Sequence, residues 1–260
     1  MALLEVRNIS RNFGGNRAVD NVSFDVQAGE LLALIGPNGA GKSTTFNMIN
    51  GQLPATSGSV RYNGRELLGV PSRKMAGLGI ARTFQIAATF ASLTVRENVQ
   101  MALVAHRRQL RSFWRPLAAY YPQEAMRLLE QVGMAEQAGR PCSELAYGDV
   151  KRVELAMGLA AEPRLLLMDE PTAGMAPAER NALVGLVKKL VLDRGMAVLF
   201  TEHSMDVVFS YADRVLVLAR GQVIAQGSVD DVRQNARVQE VYLGSGATYA
   251  QLAPAPTFSE

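Results

Sequence analysis

The first apolar pattern in the chain has a period of two. Leu4 and Val6 alternate with Glu5 and Arg7, and Val22, Phe24 and Val26 alternate with Ser23 and Asp25, as in strands with one wet face. Leu31 to Ile35 breaks the alternation, because all five positions are apolar, as in a strand covered on both faces. A glycine-rich turn follows. The sequence then predicts a helix over about Lys42 to Asn50, broken by Gly51, Pro54, Ser57 and Gly58, and a short strand from Ser59 to Tyr62.

The middle of the chain has a different period. Thr94 lies three residues before Glu97, the spacing of a capping box, and Val95, Val99 and Leu103 then share one helical face. A second helix is expected from about Pro122 to Val132. No strand pattern is legible between Met75 and Met134, so residues of about 86–160 read as a helical insertion. Alternation between strand and helix returns afterwards: a strand at Leu165 to Met168, a helix from Pro177 to about Asp193, a strand at Ala197 to Thr201, then a helix. Pro177 suits a first helical turn, and Leu183, Leu186, Val187, Leu190 and Val191 form its apolar stripe. Arg214 to Leu218 and Gln222 to Gln226 flank Arg220-Gly221 as a hairpin. Residues 245–260, small and proline-containing, read as a disordered tail. Internal repeats are absent.

Composition narrows the picture only a little. With 260 residues, 48% hydrophobic and 20% charged, the chain can bury a sizeable core as one large or two small domains. No apolar run approaches the ~18–20 residues of a membrane span. Glu5 and Arg7 interrupt the start where a signal peptide needs apolar residues, so export is not expected. A single cysteine, Cys142, excludes an internal disulfide and fits a reducing compartment. The net charge of +3 is too small to argue for nucleic acid by itself.

The chemistry begins at Gly36-Pro37-Asn38-Gly39-Ala40-Gly41-Lys42-Ser43, which fits G-x-x-x-x-G-K-[ST] between an apolar strand and a helix. Glycines let the backbone close around phosphate oxygens, with N–H groups turned inward beside a helix N-terminus. Lys42 supplies a full positive charge for the terminal phosphates, and the Ser43 hydroxyl suits Mg²⁺. A chance match in a chain this long has a probability on the order of one in a hundred. Such a site takes a nucleoside triphosphate. The strand Leu165 to Met168 then ends in Asp169-Glu170. Alone this is an ordinary solvated strand end; beside a phosphate loop, Asp169 is the candidate magnesium carboxylate and Glu170 the candidate base for an attacking water.

Further residues fall in an order that resembles the ATP-binding subunit of ABC transporters, from about Leu3 to Gly244. Phe13, before Gly14-Gly15, is similar to the family's aromatic that stacks on adenine, and Arg82-Thr-Phe-Gln85 to its glutamine loop. Leu145-Ala146-Tyr147-Gly148-Asp149 lies where the family signature lies, ahead of an apolar stripe of Val150, Val153, Ala156 and Met157. His203, in Thr-Glu-His-Ser, is similar to the histidine that contacts the γ-phosphate. Taken singly, each of these has a plainer reading: a packing phenylalanine, a surface amide, a turn, a capping histidine. Their order relative to the phosphate loop carries the resemblance.

The resemblance implies an α/β fold: a P-loop NTPase core with a mainly parallel sheet, an N-terminal antiparallel β subdomain and the helical insertion, as one ATPase domain over residues 1–244. It implies ATP and Mg²⁺ as ligands. ATP contacts fall on Phe13, residues Gly36 to Ser43 and Thr44, with Ser43, Gln85 and Asp169 at the metal and Glu170 and His203 catalytic. Residues 145–149 would reach the ATP of a second ATP-binding subunit, identical or similar. Two separate transmembrane permease subunits and an external substrate-binding protein complete the implied assembly, with this chain at the cytoplasmic face of the membrane. The style of Arg82 to Gln85, Glu170-Pro-Thr-Ala-Gly174 and Glu240-Val-Tyr-Leu-Gly244 is most similar to importers of branched-chain amino acids. Urea and short-amide importers and lipopolysaccharide exporters share part of it. Arg107 to Arg115, with four arginines around Phe113 and Trp114, has a composition that binds nucleic acid, but it reads more simply as a solvated connection, and no nucleic-acid partner is expected. Two departures stand out. Asp149 occupies a position usually held by Gln, where a carboxylate must point away from a γ-phosphate, and Ala176 replaces a usual Asp or Asn.

Overall fold

The computed structural model describes residues 2–83, 89–107 and 116–244. Gln85, most of the arginine-rich segment (108–115) and the expected tail (245–260) lie outside them. In chain order the elements are β1 (Leu4–Phe13), β2 (Asn16–Val26), β3 (Leu31–Ile35), α1 (Lys42–Ile49), β4 (Ser57–Tyr62), β5 (Arg65–Glu66) and β6 (Ile80–Thr83). Three helices follow, α2 (Val95–His106), α3 (Pro122–Gln131) and α4 (Tyr147–Leu159). The chain then forms β7 (Leu165–Asp169), α5 (Pro177–Arg194), β8 (Ala197–Thr201), α6 (Met205–Tyr211), β9 (Arg214–Ala219), β10 (Gln222–Gly227), α7 (Val229–Gln234) and α8 (Ala236–Gly244).

The alternating N-terminal segments pair as expected. β1 and β2 are antiparallel, with Leu4 opposite Val26 and Phe13 opposite Asn16, and the sheet order is β2-β1-β4-β5. The mostly apolar β3, β7, β8 and β9 join β6 and β10 in a second sheet, β10-β9-β3-β8-β7-β6, in which every neighbouring pair but β10–β9 is parallel. All five residues of β3, β7 and β8 are buried because both faces are covered. On one face Ala33, Ile35, Met168 and Phe200 pack with apolar residues of α2 to α5. On the other, Leu32, Leu34, Leu167 and Leu199 pack with Phe46 of α1 and with Leu4, Val6 and Val60 of the antiparallel sheet.

This order has a direct consequence for chemistry. The carboxyl ends of β3, β8 and β7 lie side by side, which is where open α/β sheets bind ligands. The phosphate-loop sequence leaves β3, Asp169 ends β7, and Thr201 ends β8 opposite it.

Several elements depart from the expectations. Ile80–Thr83, within the stretch read as lacking strands, is β6, paired in parallel with Leu165–Met168. Its four residues include a small Ala81 and a charged Arg82, so neither alternation nor an apolar run marks it; the hydrogen bonds of β7 define it. Beyond the hairpin the chain also forms α7 and α8. Ser228 caps α7 through a box with Asp231, and Val238 and Tyr242, four apart on α8, are buried. The helical capping box at Thr94 is present: its hydroxyl accepts from the Glu97 N–H (3.2 Å) and the Glu97 carboxylate from the Thr94 N–H (2.8 Å).

Candidate functional site

The phosphate-loop sequence wraps between β3 and α1. Gly36 and Gly41 are required by space as much as by dihedral angle. A Cβ on Gly36 would lie 2.1 Å from the Leu218 carbonyl oxygen, and one on Gly41, at φ +102°, 2.7 Å from that of Ala18. Gly41 is the residue before the first turn of α1, with no side chain to cap it, so the N–H groups there are open to an anion. Asn38, Gly39 and Ser43 are exposed, Pro37 and Thr44 half-buried, and Ala40 buried. Lys42 is buried at 6% exposure, and its ammonium donates to the carbonyls of Gly36 (2.7 Å) and Pro37 (3.2 Å). Burial pushes its pKa down, while the carboxylates of Glu170 and Asp169 push it up. That pairing places both carboxylates within the field of the loop lysine.

Asp169 and Glu170 leave the end of β7 in different environments. Asp169 is buried; one oxygen accepts from the Thr201 hydroxyl (2.8 Å) and the other from the Arg82 guanidinium (2.9 Å). Glu170 sits at φ +48°, a conformation that costs a β-carbon residue of order 1–3 kcal/mol and is held here by its neighbours. Its N–H donates to the hydroxyl (3.0 Å) and carbonyl (3.2 Å) of Thr201. Its carboxylate lies 2.7 Å from the His203 imidazole nitrogen Nε2. The strained turn aims Glu170 at His203, and the histidine is half exposed, facing outward from the pair.

The remaining candidates are more dispersed. Phe13 closes β1 with 48% of its surface exposed, and the Arg11 guanidinium stacks over the ring at 4.7 Å. Leu145 and Ala146 lead into α4, whose first residues are Tyr147, Gly148 and Asp149. Tyr147 is exposed, and Gly148 is buried against α5, where a Cβ would meet the Glu179 carboxyl and the Met175 methyl at 3.4 Å. Asp149 occupies the first turn of α4, where a carboxylate favours the helix dipole. Ala176 precedes α5 without a capping acceptor; only the Glu179 carboxylate returns, accepting from its N–H at 3.3 Å. Of the arginine-rich segment, Arg107 is described, paired with Glu124 at 2.7 Å and stacked on Tyr121.

The comparisons with known proteins converge. The family model "ABC transporter" matches residues 19–173. The chain belongs to the ABC transporter family. A second model, "Branched-chain amino acid ATP-binding cassette transporter", matches residues 222–248, the region of β10, α7 and α8. Among curated relatives, the high-affinity branched-chain amino acid transport ATP-binding protein BraF of Pseudomonas aeruginosa is 38% identical over 93% of this chain and 98% of its own length. LivG of Salmonella typhimurium, described in the same words, is 37% identical over the same shares, and LivG of Escherichia coli K12 36%. A solved ATP-binding cassette of an ABC transporter in its ADP conformation superposes with a TM-score of 0.85 at 32% identity, covering 94% of this chain and 99% of that one. A nucleotide-free cassette gives 0.84 at 31%, covering 93% and 99%. The chain is therefore an ATPase cassette that binds adenine nucleotide, with the α/β fold of its family.

In this ABC cassette two buried side chains carry contacts that the sequence did not reveal. Arg82, visible beforehand only as the flank of Gln85, is the ion-pair partner of Asp169. Glu202 is 3% exposed and accepts from the Thr172 hydroxyl (2.6 Å), the Thr172 N–H (3.0 Å) and the His203 N–H (3.1 Å). It ties the loop after Glu170 to the loop bearing His203. Glu202→Ala strands three donors, and a buried donor left unpaired costs about 1–3 kcal/mol. A loss of about 2–4 kcal/mol is expected in thermal or urea unfolding of the cassette, with slower ATP turnover in the surviving folded protein.

Proposed function

We propose that this chain is the ATP-hydrolysing subunit of an importer of branched-chain or other hydrophobic amino acids, working on separate membrane permeases. One observation carries the hydrolytic part: the Glu170 carboxylate, 2.7 Å from His203, lies beside Asp169 and the buried Lys42 at the mouth of the phosphate loop. The substrate class rests on the likeness to BraF and LivG and on the branched-chain model over residues 222–248.

In this reading ATP lies along Gly36 to Thr44, its phosphates held by the loop N–H groups and Lys42, with adenine against the open face of Phe13. Magnesium suits the residues present. Among the described residues no group of three or more His, Cys, Asp or Glu could hold a metal, and Mg²⁺ is usually held by one or two protein oxygens completed by phosphates and water. Ser43 and Asp169 supply such oxygens, with Gln85 as the third candidate. When bound, Mg²⁺ neutralises charge on the β- and γ-phosphates. Glu170 accepts a proton from a water whose oxygen bonds to the γ-phosphorus. The bond from that phosphorus to the bridging oxygen breaks, and ADP leaves with the electron pair. His203 holds the Glu170 carboxylate in place and faces the γ-phosphate.

The signature residues Leu145 to Asp149 close over the nucleotide of a second ATP-binding subunit, identical or similar. No helix among the described residues is long and apolar enough to cross a membrane, so the transport path belongs to the two permeases, supplied by an external binding protein. The cassette then sits peripherally on the cytoplasmic side. Residues 1–244 act as one ATPase domain, with α2 to α4 as its helical insertion.

The test is uptake of labelled leucine by cells whose only copy of the cassette is wild type or Glu170→Gln. Loss of leucine uptake in the variant, and competition by isoleucine and valine in the wild type, are expected. Undiminished uptake, or competition by urea or short amides instead, overturns the substrate assignment.

A further inference from the structure

Among the described residues, Arg82 is the one guanidinium that bonds to the candidate metal carboxylate, and it does so from a separate strand. It projects from β6, and its side chain is only 9% exposed. One terminal nitrogen donates to Asp169 (2.9 Å) on β7. The other donates to the Asn47 amide oxygen (2.8 Å), on α1, and to the Gln52 amide oxygen (2.8 Å), just beyond it. The helix that begins at the phosphate loop and the strand that ends in the metal carboxylate are therefore clamped to one planar group. A guanidinium suits this task, because its fixed fork meets several acceptors at once, which an ammonium on a flexible stem does not.

The same side chain has a second exposure. Arg82 also lines an open groove of about 420 Å³ walled by Met75, Ile80, Ala102, Met157 and Ala161. Thr83, next in the chain, lines it too and leads toward Gln85.

We infer that Arg82 is a positioning residue for the metal site: it holds Asp169 at the angle from which its free lone pairs meet Mg²⁺, and fixes that carboxylate relative to α1. The inference rests on the ATPase reading and extends it to a residue with no contact to nucleotide. Partners that orient a metal's ligands are typically worth 10–100-fold in metal affinity. Arg82 bonds to Asn47 on α1 but to no residue of Gly36–Ser43, so an effect on the metal and an effect on the loop are read separately.

The experiment titrates Mg²⁺ against a fluorescent ATP analogue bound to the full chain, and measures the analogue's affinity in EDTA as a reference. Arg82→Met is expected to raise half-saturating Mg²⁺ about tenfold, with affinity in EDTA unchanged. Arg82→Lys, which keeps the charge and loses the fork, is expected to fall between Met and wild type. Unchanged affinity in EDTA reports an intact phosphate loop, so a merely structural loss is distinguishable. If either variant loses affinity in EDTA in proportion to its loss in Mg²⁺, Arg82 is structural and the inference fails. A half-saturating Mg²⁺ that stays put or falls also overturns it, the latter showing that the guanidinium opposes the metal. A wild-type chain whose affinity ignores Mg²⁺ overturns the metal reading and this inference together.

Discussion

Glu170→Gln is expected to bind MgATP with near wild-type affinity and to turn it over about 10²–10⁴-fold more slowly. The substitution keeps the volume and one carbonyl-type oxygen that can face His203 Nε2. It removes the ability to take a proton from water. Asp169, the next residue back, does not substitute in this reading, because its carboxylate is held by Thr201 and Arg82 and its remaining lone pairs serve Mg²⁺. The strained φ of +48° is as available to glutamine as to glutamate, so the fold should be undisturbed. Steady-state phosphate release and equilibrium nucleotide binding, measured on one preparation, give the two quantities. Turnover within about threefold of wild type, with binding intact, would remove Glu170 from the role of base.

Lys42→Ala should have the opposite profile, with binding itself lost. The Lys42 ammonium is buried and held by the carbonyls of Gly36 and Pro37, so it reaches the loop already oriented. Hydrogen bonds to charged groups contribute about 1.5–3 kcal/mol each, and losing one such contact to the β- and γ-phosphates weakens ATP about 10–100-fold. The loss should be larger for ATP than for AMP, which has no phosphate at that position. Fluorescent-nucleotide titration with both competitors measures it. An ATP affinity equal to wild type would make the glycine-rich loop a structural turn and Lys42 a bystander.

The parts of the site that were legible in the sequence are those whose chemistry is contiguous. Gly36 to Ser43 is a single loop, and Asp169-Glu170 a single strand end, so residue types and spacing carry the information. Phe13 is legible as a position, and its stacking partner Arg11 is two residues away on the same strand. Arg82 is different: its ion pair with Asp169 spans 87 residues, and only the β6–β7 pairing brings the two together. The strand that carries it was itself invisible, because four residues with a small and a charged member show no period. Glu202 reads as part of Thr-Glu-His, and its hydrogen bonds to Thr172 reach back 30 residues. The end of the chain was hidden for another reason. Among the described side chains of α8, Val238 and Tyr242 are the buried ones, too few for an amphipathic stripe to register. For Gln85, the structure adds nothing to the resemblance.

In the proposed reading, Gly148 and its neighbours at the start of α4 complete the site of a second subunit. A carboxylate at Gly148 would face the Glu179 carboxyl, which already lies within 3.4 Å of where a Cβ would be, and would put a second negative charge at a helix start that should meet phosphate. Sedimentation velocity of the Glu170→Gln chain tests the arrangement most directly, since slowed hydrolysis keeps the γ-phosphate between facing subunits. For an identical partner, a dimer is expected in saturating MgATP, a monomer in MgADP, and a monomer again in MgATP when Gly148→Asp is added, with nucleotide binding by that double variant retained. A Glu170→Gln chain that stays monomeric in saturating MgATP removes the identical partner and leaves a similar one, whereas a double variant that still dimerises in MgATP contradicts the signature's role across the interface.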